Sequence, residues 1–478
     1  MHRKQSSGPK SRIVSFWLAL SCLSAFLLLG QTVSAGTANL SKPLMGWSTW
    51  ESFAKGLSED KILANLDVLT RSGLRAKGYR MVQVDDGWMR MDRSTGWIAR
   101  ENYTERSSIT LKKGIATFSS KRRVGCMLPD LEKFPDGMKT FGERVKARGF
   151  QYGLYTSGED TVCDSDPTFK GFYASTSRFN LRSIDAKCFI DWGVDLMKID
   201  MCNAPTRSFA YSEQAMRAWR ALLPRDVIIY NSRYGCLAPV KCGRRKTGGN
   251  IYRCPHDVNF AQNRRITPYC HQTADIARAS VDMKPHWPNI MAGIRSVIGR
   301  GAISRPGFWS DPDYLVPHPE HLSFREARSQ FSAWCIMSAP LLISTDITKV
   351  SDQTLEMLGN TNAIRVNQEY YSGAGDLLYA TGVIHVFRKR LSATEFALLI
   401  LHAGKAHSMG KGPKTDAAVK WSPGSLQAVV PPGTLAQHSC KLNNIWQNGG
   451  SMDDMLFGNT TFTIEARDSV FLIVSGCQ

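Results

Sequence analysis

The chain has 478 residues, of which 43% are hydrophobic and 21% are charged, and its formal net charge is +19 at pH 7. This composition is that of a globular protein, and the absence of sequence repeats and low-complexity tracts argues against solenoid and disordered proteins. The basic residues are spread along the chain apart from a cluster at Arg244-Arg245-Lys246, and no nucleic-acid-binding module occurs. A solvated basic surface is the simplest interpretation, and attraction to acidic glycans or anionic membranes is the alternative.

The amino terminus has the pattern of a targeting segment. Basic residues precede an apolar run from Ile13 to Gly30, and Val33-Ser34-Ala35 then suits cleavage before Gly36. Residues 1–35 are therefore predicted to be a signal peptide that directs the chain to the secretory pathway, for secretion or for a lysosome-like compartment. The apolar run is also long enough for an uncleaved type II membrane anchor, which is the alternative.

The 12 cysteines agree with that compartment. Spacings such as Cys236, Cys242 and Cys254 match no usual zinc motif, so disulfides are favoured over a metal site. One cysteine, Cys22, lies in the targeting segment, and the odd number that remains leaves at least one thiol free or paired between chains. Three sequons are candidate glycosylation sites: Asn39, Asn102 and Asn459.

Strand-like and helix-like patterns alternate between about residues 40 and 345. Helices are predicted from apolar residues at helical spacing, and strands from short apolar runs. In chain order these are a helix after Ser58, a strand over Tyr79–Val84, a helix over Gly137–Arg148, a strand over Phe150–Tyr155, a helix over Ile184–Asp191, a strand over Val194–Cys202, a helix over Tyr211–Leu222, and strands over Val227–Tyr230 and Leu341–Ile343. The alternation predicts a (β/α)8 TIM barrel over residues 36–375.

The pattern changes beyond about Gly375. Short stretches with alternating apolar residues are separated by turn residues, as in antiparallel sheets: Val383–Phe387, Phe396–Leu401, Phe462–Ile464 and Val470–Val474. We therefore predict a C-terminal antiparallel β-sandwich over residues 376–478, with a surface loop over Ala403–Lys420.

Carboxylates recur where predicted strands end. Asp85-Asp86 follow one strand, and Asp200 ends another that also carries Lys198. Residues two apart on a strand face the same side, so Lys198 and Asp200 should project together. Asp311-Pro312-Asp313 follows a tryptophan. Carboxylates at the carboxyl ends of barrel strands indicate an active site, and a set of structural carboxylates is the alternative.

Six motifs together carry a resemblance to a known family. They are Met45-Gly46-Trp47-Ser48-Thr49-Trp50, Asp85-Asp86-Gly87-Trp88, Phe134-Pro135-Asp136-Gly137-Met138, Lys198-Ile199-Asp200-Met201-Cys202, Ala274-Asp275-Ile276 and Trp309-Ser310-Asp311-Pro312-Asp313. In this order they resemble the retaining α-galactosidases and α-N-acetylgalactosaminidases of glycoside hydrolase family 27. The resemblance covers roughly residues 40–375 well and the remainder loosely.

The resemblance implies a retaining exo-glycosidase acting on terminal α-linked galactose or a related sugar, with Asp200 as the nucleophile and Asp275 as the general acid/base. Asp200 must be ionised to attack the anomeric carbon, whereas Asp275 must first donate a proton to the departing oxygen. Lys198 would keep Asp200 anionic and bind sugar hydroxyls. From the residues alone, Ala274-Asp275-Ile276 is an ordinary triplet in which a helix cap is the alternative. A carbohydrate-binding protein without catalysis is the competing function.

The resemblance also implies the sugar-binding residues, which are Trp50, Asp85, Asp86, Tyr155, Lys198 and Asp313. A role as a barrel plug is the alternative for Trp50. A disulfide between Cys163 and Cys202 would border the pocket. The substrate is a carbohydrate, no cofactor and no metal are expected, and a homodimer is left open.

Departures from the family pattern concern the sugar's 2-position and one disulfide. Arg233 stands where the galactosidases have a glutamate, and the arginine that precedes the acid/base falls at about His271. We therefore predict that simple α-galactosides are poor substrates relative to another terminal sugar or aglycone, with α-N-acetylgalactosaminidase, β-L-arabinopyranosidase and isomalto-dextranase activities as alternatives. Gly87 and Lys55 replace two cysteines of the family pattern, as expected for one deleted disulfide.

Overall fold

The structure, a computed structural model, describes residues 40–92, 97–101, 108–112, 115–119, 125–158, 162–163, 181–201, 209–232, 270–422, 439–447, 451–456 and 460–476. All of them belong to one compact unit, Thr37–Gln478. The predicted targeting segment and the three sequons lie outside the described residues. No helix within these ranges is long and apolar enough to cross a membrane.

Eight parallel strands form the central sheet, and they confirm the predicted barrel. They are β1 (Met45–Ser48), β2 (Met81–Val84), β3 (Gln151–Ser157), β4 (Leu196–Asp200), β5 (Ile228–Asn231), β6 (Ile276–Arg278), β7 (Trp309–Asp311) and β8 (Leu341–Ile343). Each strand pairs with the next from β1 to β7, and β8 pairs with β1. A parallel bridge between Leu315, just beyond β7, and Ile343 in β8 joins the two remaining edges.

Helices follow most of these strands. They are α1 (Trp50–Phe53), α2 (Glu59–Arg71), α3 (Gly137–Ala147), α4 (Arg182–Asp191), α5 (Phe209–Leu222), α6 (Cys270–Thr273), α7 (Trp287–Val297), α8 (Phe324–Ile336), α9 (Asp352–Leu358) and α10 (Thr361–Gln368). The helical periodicity of α2 brings Ile62, Leu66 and Leu69 to its buried face. Ser58 occupies the predicted N-cap position, but its side chain makes no capping hydrogen bond.

An antiparallel region follows the barrel, as predicted. Its strands are β9 (Asp376–Thr381), β10 (Ile384–Arg390), β11 (Phe396–His402), β12 (Val419–Trp421), β13 (Ser439–Asn444), β14 (Ser451–Leu456), β15 (Phe462–Ile464) and β16 (Ser469–Ser475). Six of them form one sheet in the order β9-β10-β11-β16-β13-β14, and β12 pairs with β15 in a second, two-stranded sheet. The predicted loop over 403–420 contains a short 3-10 helix, Lys405–His407, and ends in β12.

The six-stranded sheet buries both of its faces, because its side chains alternate. On β11, Leu399 and Leu401 join the core that includes the barrel, whereas Leu398 and Ile400 join a second core. That second core also contains Trp421 of β12 and Ile464 of β15, so the two sheets pack face to face. The central strands are therefore apolar throughout, although they are antiparallel.

Candidate active site

A buried network joins the carboxyl ends of β2 and β4 to the segment after β7. The Lys198 ammonium donates to Asp85 Oδ2 at 2.7 Å and to the Tyr314 hydroxyl at 2.8 Å. The Tyr314 hydroxyl lies 2.7 Å from the same Asp85 oxygen and 2.9 Å from Gln83 Oε1. Burial disfavours the Lys198 charge, but Asp85 and Asp200 more than offset this and raise its pKa. Lys198 is therefore a fixed cation at the end of β4.

Asp86 lies beside this network and keeps one carboxylate oxygen available. Its Oδ1 accepts from the Gly87 N–H at 2.8 Å, while its buried Oδ2 has no hydrogen-bond partner among the described residues. Burial, reinforced by the neighbouring Asp85, raises the pKa of Asp86 to about 7. A buried carboxyl oxygen without a partner at a barrel mouth is suited to bind a ligand hydroxyl.

Asp200 ends β4 and is 8% exposed, so a ligand can reach it. The Met201 N–H donates to its Oδ1 at 2.8 Å, and the Ser232 hydroxyl lies 3.4 Å from its Oδ2. Lys198, two residues earlier on the same strand, is stabilised electrostatically by Asp200, as the alternation of side chains along the strand predicted.

Aromatic side chains line the same end of the barrel. Tyr155, on β3, is 1% exposed, its ring centre lies 5.9 Å from the Lys198 ammonium, and its hydroxyl accepts from the Cys163 N–H at 3.3 Å. Burial, together with Asp86 and Asp200, raises the pKa of Tyr155 well above its ordinary value. Trp50 begins α1 directly after β1 and is partly buried against the core.

Arg278, at the carboxyl end of β6, gathers three carboxylates. It donates to Asp313 Oδ2 at 3.2 Å and to Asp282 Oδ1 at 2.6 Å. Burial alone would lower its pKa, but Asp313, Asp282 and Asp200 raise it well above the ordinary value. Lys198 and Arg278 thus supply the positive charge among these carboxylates. The Asp282 side chain is 52% exposed, and so it is open to solvent and to a ligand.

Asp313 is fixed in a conformation that few residues adopt. Its φ of +78° lies in the left-handed region. Five hydrogen bonds hold it there: its N–H donates to Asp311 Oδ1 at 2.8 Å, its carboxylate accepts from Arg278 and from the backbone of Met283 and Tyr314, and its carbonyl accepts from the Trp334 indole at 2.8 Å. Strain of this kind is common at functional sites, because surrounding contacts must sustain it.

Asp275 does not join this group. It precedes β6, so it lies at the amino-terminal end of that strand, and it is 0% exposed. Its Oδ2 accepts from the Ile229 N–H at 2.8 Å and lies 3.9 Å from the Arg220 guanidinium of α5. The predicted placement of Asp275 at the active site is therefore wrong, because the catalytic ends of parallel barrel strands are their carboxyl ends. Its contacts with the Ile229 N–H and with Arg220 link β5 and α5.

His271 also lies before β6, away from the carboxyl ends of the barrel strands. It lies in α6 before β6, and its ring packs at 4.2 Å from the ring of Phe308, which precedes β7. Burial and nearby Arg305 lower its pKa. The structure therefore contradicts the predicted substitution of a site arginine by His271, since Arg278 occupies the carboxyl end of β6. Arg233 lies outside the described residues.

The described residues include some of the predicted disulfide-bonded cysteines. Cys126 and Cys188 form a disulfide, and Cys335 is a buried free thiol. Cys163 is disulfide-bonded, whereas its predicted partner Cys202 lies outside the described residues. The positions of the deleted family disulfide are adjacent, because a Cβ on Gly87 would lie 3.0 Å from the Lys55 Cα.

The predicted residues that meet at this end of the barrel are Asp85, Asp86, Tyr155, Lys198, Asp200 and Asp313, with Trp50 directly after β1. Sequence reasoning missed Arg278, Asp282 and Tyr314. The sequence did contain a pattern that indicates the first two. Arg278 ends the short strand β6, and Asp282 follows four residues later, before α7 begins. No such pattern indicates Tyr314, since its position depends on contacts with residues more than 100 positions away.

The chain is similar in sequence to known alpha-galactosidases. The family profile described as alpha galactosidase A matches residues 114–369. A probable alpha-galactosidase A of Aspergillus flavus is 26% identical over 401 residues, covering 82% of this chain and 66% of that protein. An alpha-galactosidase of Oryza sativa subsp. japonica is 25% identical over 411 residues, covering 84% of each. The chain thus spans just under two thirds of the length of the Aspergillus relative.

Solved structures agree on the fold. The crystal structure of alpha-galactosidase I from Mortierella vinacea superposes with a TM-score of 0.66 at 20% sequence identity, covering 91% of this chain and 97% of that chain. The similarity includes both the barrel and the antiparallel region, because the matched part extends over nearly the whole of the two proteins.

Proposed function

The chain belongs to the alpha galactosidase A family, and on that basis we propose that it is a retaining exo-glycosidase that removes a terminal α-linked galactose or a related sugar by double displacement. The observation that carries the proposal is the pairing of two carboxylates around Arg278. Asp200 ends β4, Asp282 follows β6, and both act on the Arg278 charge. Two carboxylates that flank the scissile bond are the requirement of glycoside hydrolysis.

Asp200 is the proposed nucleophile. The Met201 N–H donates to its Oδ1, its charge stabilises the Lys198 ammonium, and it is the last residue of β4. Attack on the anomeric carbon forms an ester with the sugar as the bond to the departing oxygen breaks. Water then cleaves that ester, restoring the carboxylate and leaving the anomeric configuration retained.

Asp282 is the proposed general acid/base, in place of Asp275. In the first step it gives its proton to the departing oxygen, and in the second it takes a proton from the attacking water. Its exposure allows exchange with solvent between the two steps. Arg278, which donates to it at 2.6 Å, positions the carboxyl group.

The proposed sugar contacts are Asp86, Lys198, Asp313, Tyr155 and Trp50. Asp86 Oδ2 supports this most directly, because it is buried without a described partner. Asp85 can accept fewer hydrogen bonds from a sugar, because Lys198, Tyr314 and the Asp86 N–H already donate to it. We also propose action in the secretory pathway, which the Cys126–Cys188 disulfide supports.

The test separates the roles of the three aspartates. We expect Asp200→Ala to abolish turnover, and Asp282→Ala to lose far more activity on natural glycosides than on nitrophenyl glycosides, whose leaving group needs no proton. Added azide should restore turnover in both variants, with an inverted glycosyl azide from Asp200→Ala and a retained one from Asp282→Ala. Product configuration is measured by NMR.

Asp275→Asn is the matched control. It should lower the denaturation midpoint, because it disturbs a buried contact to the β5 backbone, while the folded enzyme keeps kcat within a few fold of the parent. If Asp275→Asn instead shows the leaving-group dependence expected of Asp282→Ala, the reassignment is wrong. A parent enzyme inactive on α-galactoside, α-N-acetylgalactosaminide, β-L-arabinopyranoside and α-glucoside substrates would overturn the proposed function.

A further inference from the structure

Three side chains on the turn between β7 and α8 form a cluster that the proposed reaction does not use. His318, Glu320 and His321 each present one ligand atom within 4.8 Å of the others. The two imidazole rings are stacked, with centroids 4.5 Å apart. His318 is half-buried, whereas Glu320 and His321 are exposed. Two imidazoles and a carboxylate so close together match the donor set of a transition-metal site.

The backbone holds this turn in place before any ion binds. Prolines at 317 and 319 fix φ on either side of His318. The N–H groups of His321 and Leu322 both donate to the His318 carbonyl, at 3.2 and 3.0 Å. Leu322 is buried after the turn. Little backbone entropy would therefore be lost when a ligand ordered the three side chains.

The donor atoms indicate which ions fit. Imidazole nitrogen with one carboxylate suits Zn²⁺, Ni²⁺ and Cu²⁺, whereas Ca²⁺ and Mg²⁺ prefer oxygen ligands alone. Ligands of a tetrahedral zinc ion at ~2.0–2.1 Å lie about 3.4 Å from one another, so the side chains must close by roughly 1 Å. Exposed Glu320 and His321 can make that movement by changing rotamer.

Glu320 is the charge on the turn that favours a cation beside His318, whereas nearby Lys349 opposes one. Burial, the adjacent His321 and nearby Lys349 lower the pKa of His318, and Glu320 opposes that shift. The Lys349 charge is partly balanced by Asp346, 3.6 Å from its ammonium. A metal ion would compete with protons for both rings, so acid should weaken its binding.

We propose that His318, Glu320 and His321 bind one divalent transition-metal ion of the Zn²⁺, Ni²⁺ and Cu²⁺ class, at a site separate from the barrel's carboxylates. A fourth position would be open to water. The ion takes no part in the glycosidase chemistry, and the site stands whether or not that function is correct. Its effect is to tie together the turn that leads from β7 into α8.

The test uses the whole secreted chain, freed of any histidine tag and treated with chelator. Isothermal titration with ZnCl₂ at pH 7.5 should give one site per chain with a Kd on the order of 1–100 µM, and MgCl₂ and CaCl₂ should give no binding. The ion should also raise Tm by about 1–3 °C at saturating concentration. Titration at pH 5 should show binding at least tenfold weaker.

Variants assign the binding to the cluster. His318→Asn with His321→Asn should weaken binding more than tenfold, and His286→Asn, a control at an exposed histidine in an N-cap, should bind like the parent. If the double variant fails to fold, His321→Asn alone decides, because that side chain is exposed. Absence of Zn²⁺ binding by the parent, or unchanged stoichiometry and Kd in a folded His321→Asn variant, would overturn the proposal.

Discussion

The hydroxyl of Tyr314 connects three parts of the active site. It lies within hydrogen-bond distance of Lys198, Asp85 and Gln83, and all four side chains are buried. The hydroxyl has one proton, and it can accept from the Lys198 ammonium while donating to the Asp85 carboxylate. The positions of Lys198, a proposed sugar contact, and of Asp85 therefore depend on a side chain that need not touch the sugar.

Removing this hydroxyl should impair the reaction more than the fold. We expect Tyr314→Phe to lower kcat/KM about 10- to 100-fold, as is typical of residues that orient binding groups, and to cost about 1 kcal/mol of stability. Steady-state kinetics and urea denaturation measure the two effects.

Tyr152→Phe is the matched control for this substitution. Tyr152 is equally buried in the barrel, but its hydroxyl has no hydrogen-bond partner in the described part of the chain. Its loss should leave activity unchanged and stability unchanged or improved. Equal effects of the two substitutions on kcat/KM would show that Tyr314 acts only through packing.

Asp86 should make the folded state less stable as pH rises, which is the opposite of the usual effect of a carboxyl group. Burial and Asp85 raise its pKa from 3.8 to about 7, so the folded chain holds a proton there that the unfolded chain releases near pH 4. The stability linked to this group is present below pH 4 and is lost as the pH rises through 7, by on the order of 4 kcal/mol. Asp86→Asn removes the ionisation.

The variant should therefore gain stability relative to the parent as pH rises. Urea denaturation at pH 5, 6, 7 and 8 should give a difference in unfolding free energy that grows over this range, while KM increases because the variant lacks the free carboxylate oxygen. A difference that stays constant from pH 5 to pH 8 would show that Asp86 is ionised throughout.

At the scale of elements, strand direction explains which predicted site residues lie together. The strands β2 and β4 were recognisable as apolar runs, so the aspartates at their carboxyl ends were expected at one edge of the sheet, where Lys198 of β4 contacts Asp85. The strand β6 has three residues and was not predicted, so Asp275 could not be assigned to its start or its end. The triplet Ala274-Asp275-Ile276 consists of common residues, so it can occur by chance, and here it lies at the amino end of β6. Arg278 is the last residue of that strand, and Asp282 lies four residues beyond it.

The antiparallel region was predictable for a similar reason. Polar and apolar residues do not alternate along β11 and β16, because both faces of these strands are apolar. Their β-branched and aromatic residues, and the turn residues between the strands, still indicated β-structure. Which face of the six-stranded sheet packs on the barrel could not be predicted, because it depends on contacts between residues far apart in the sequence. Two examples are the Trp287 indole, which donates to the Ala403 carbonyl at 2.8 Å, and the Lys389 ammonium, which donates to Ser338 Oγ at 2.6 Å.

Across the whole molecule, the barrel and the six-stranded sheet share one core. Phe471 and Ile473 of β16 lie in the same apolar cluster as Phe331 and Trp334 of α8. Buried Lys389 adds polar contacts between the two parts, because it also donates to the carbonyl groups of Val366 and Asn367 in α10. The barrel and the antiparallel region that follows about residue 375 therefore share one apolar core, and the antiparallel region has a second core of its own.

A shared core predicts that the two regions unfold together. Scanning calorimetry of the whole chain should show one transition, and Phe471→Ala, which opens a cavity in the shared core, should lower its midpoint by roughly 3–5 °C. Leu472→Ala is the comparison, because the neighbouring side chain faces only the second core. If the regions are cooperative, both substitutions shift the same single transition, since neither part is stable without the other. Two resolved transitions, of which Leu472→Ala lowers only one, would show that the antiparallel region folds independently of the barrel.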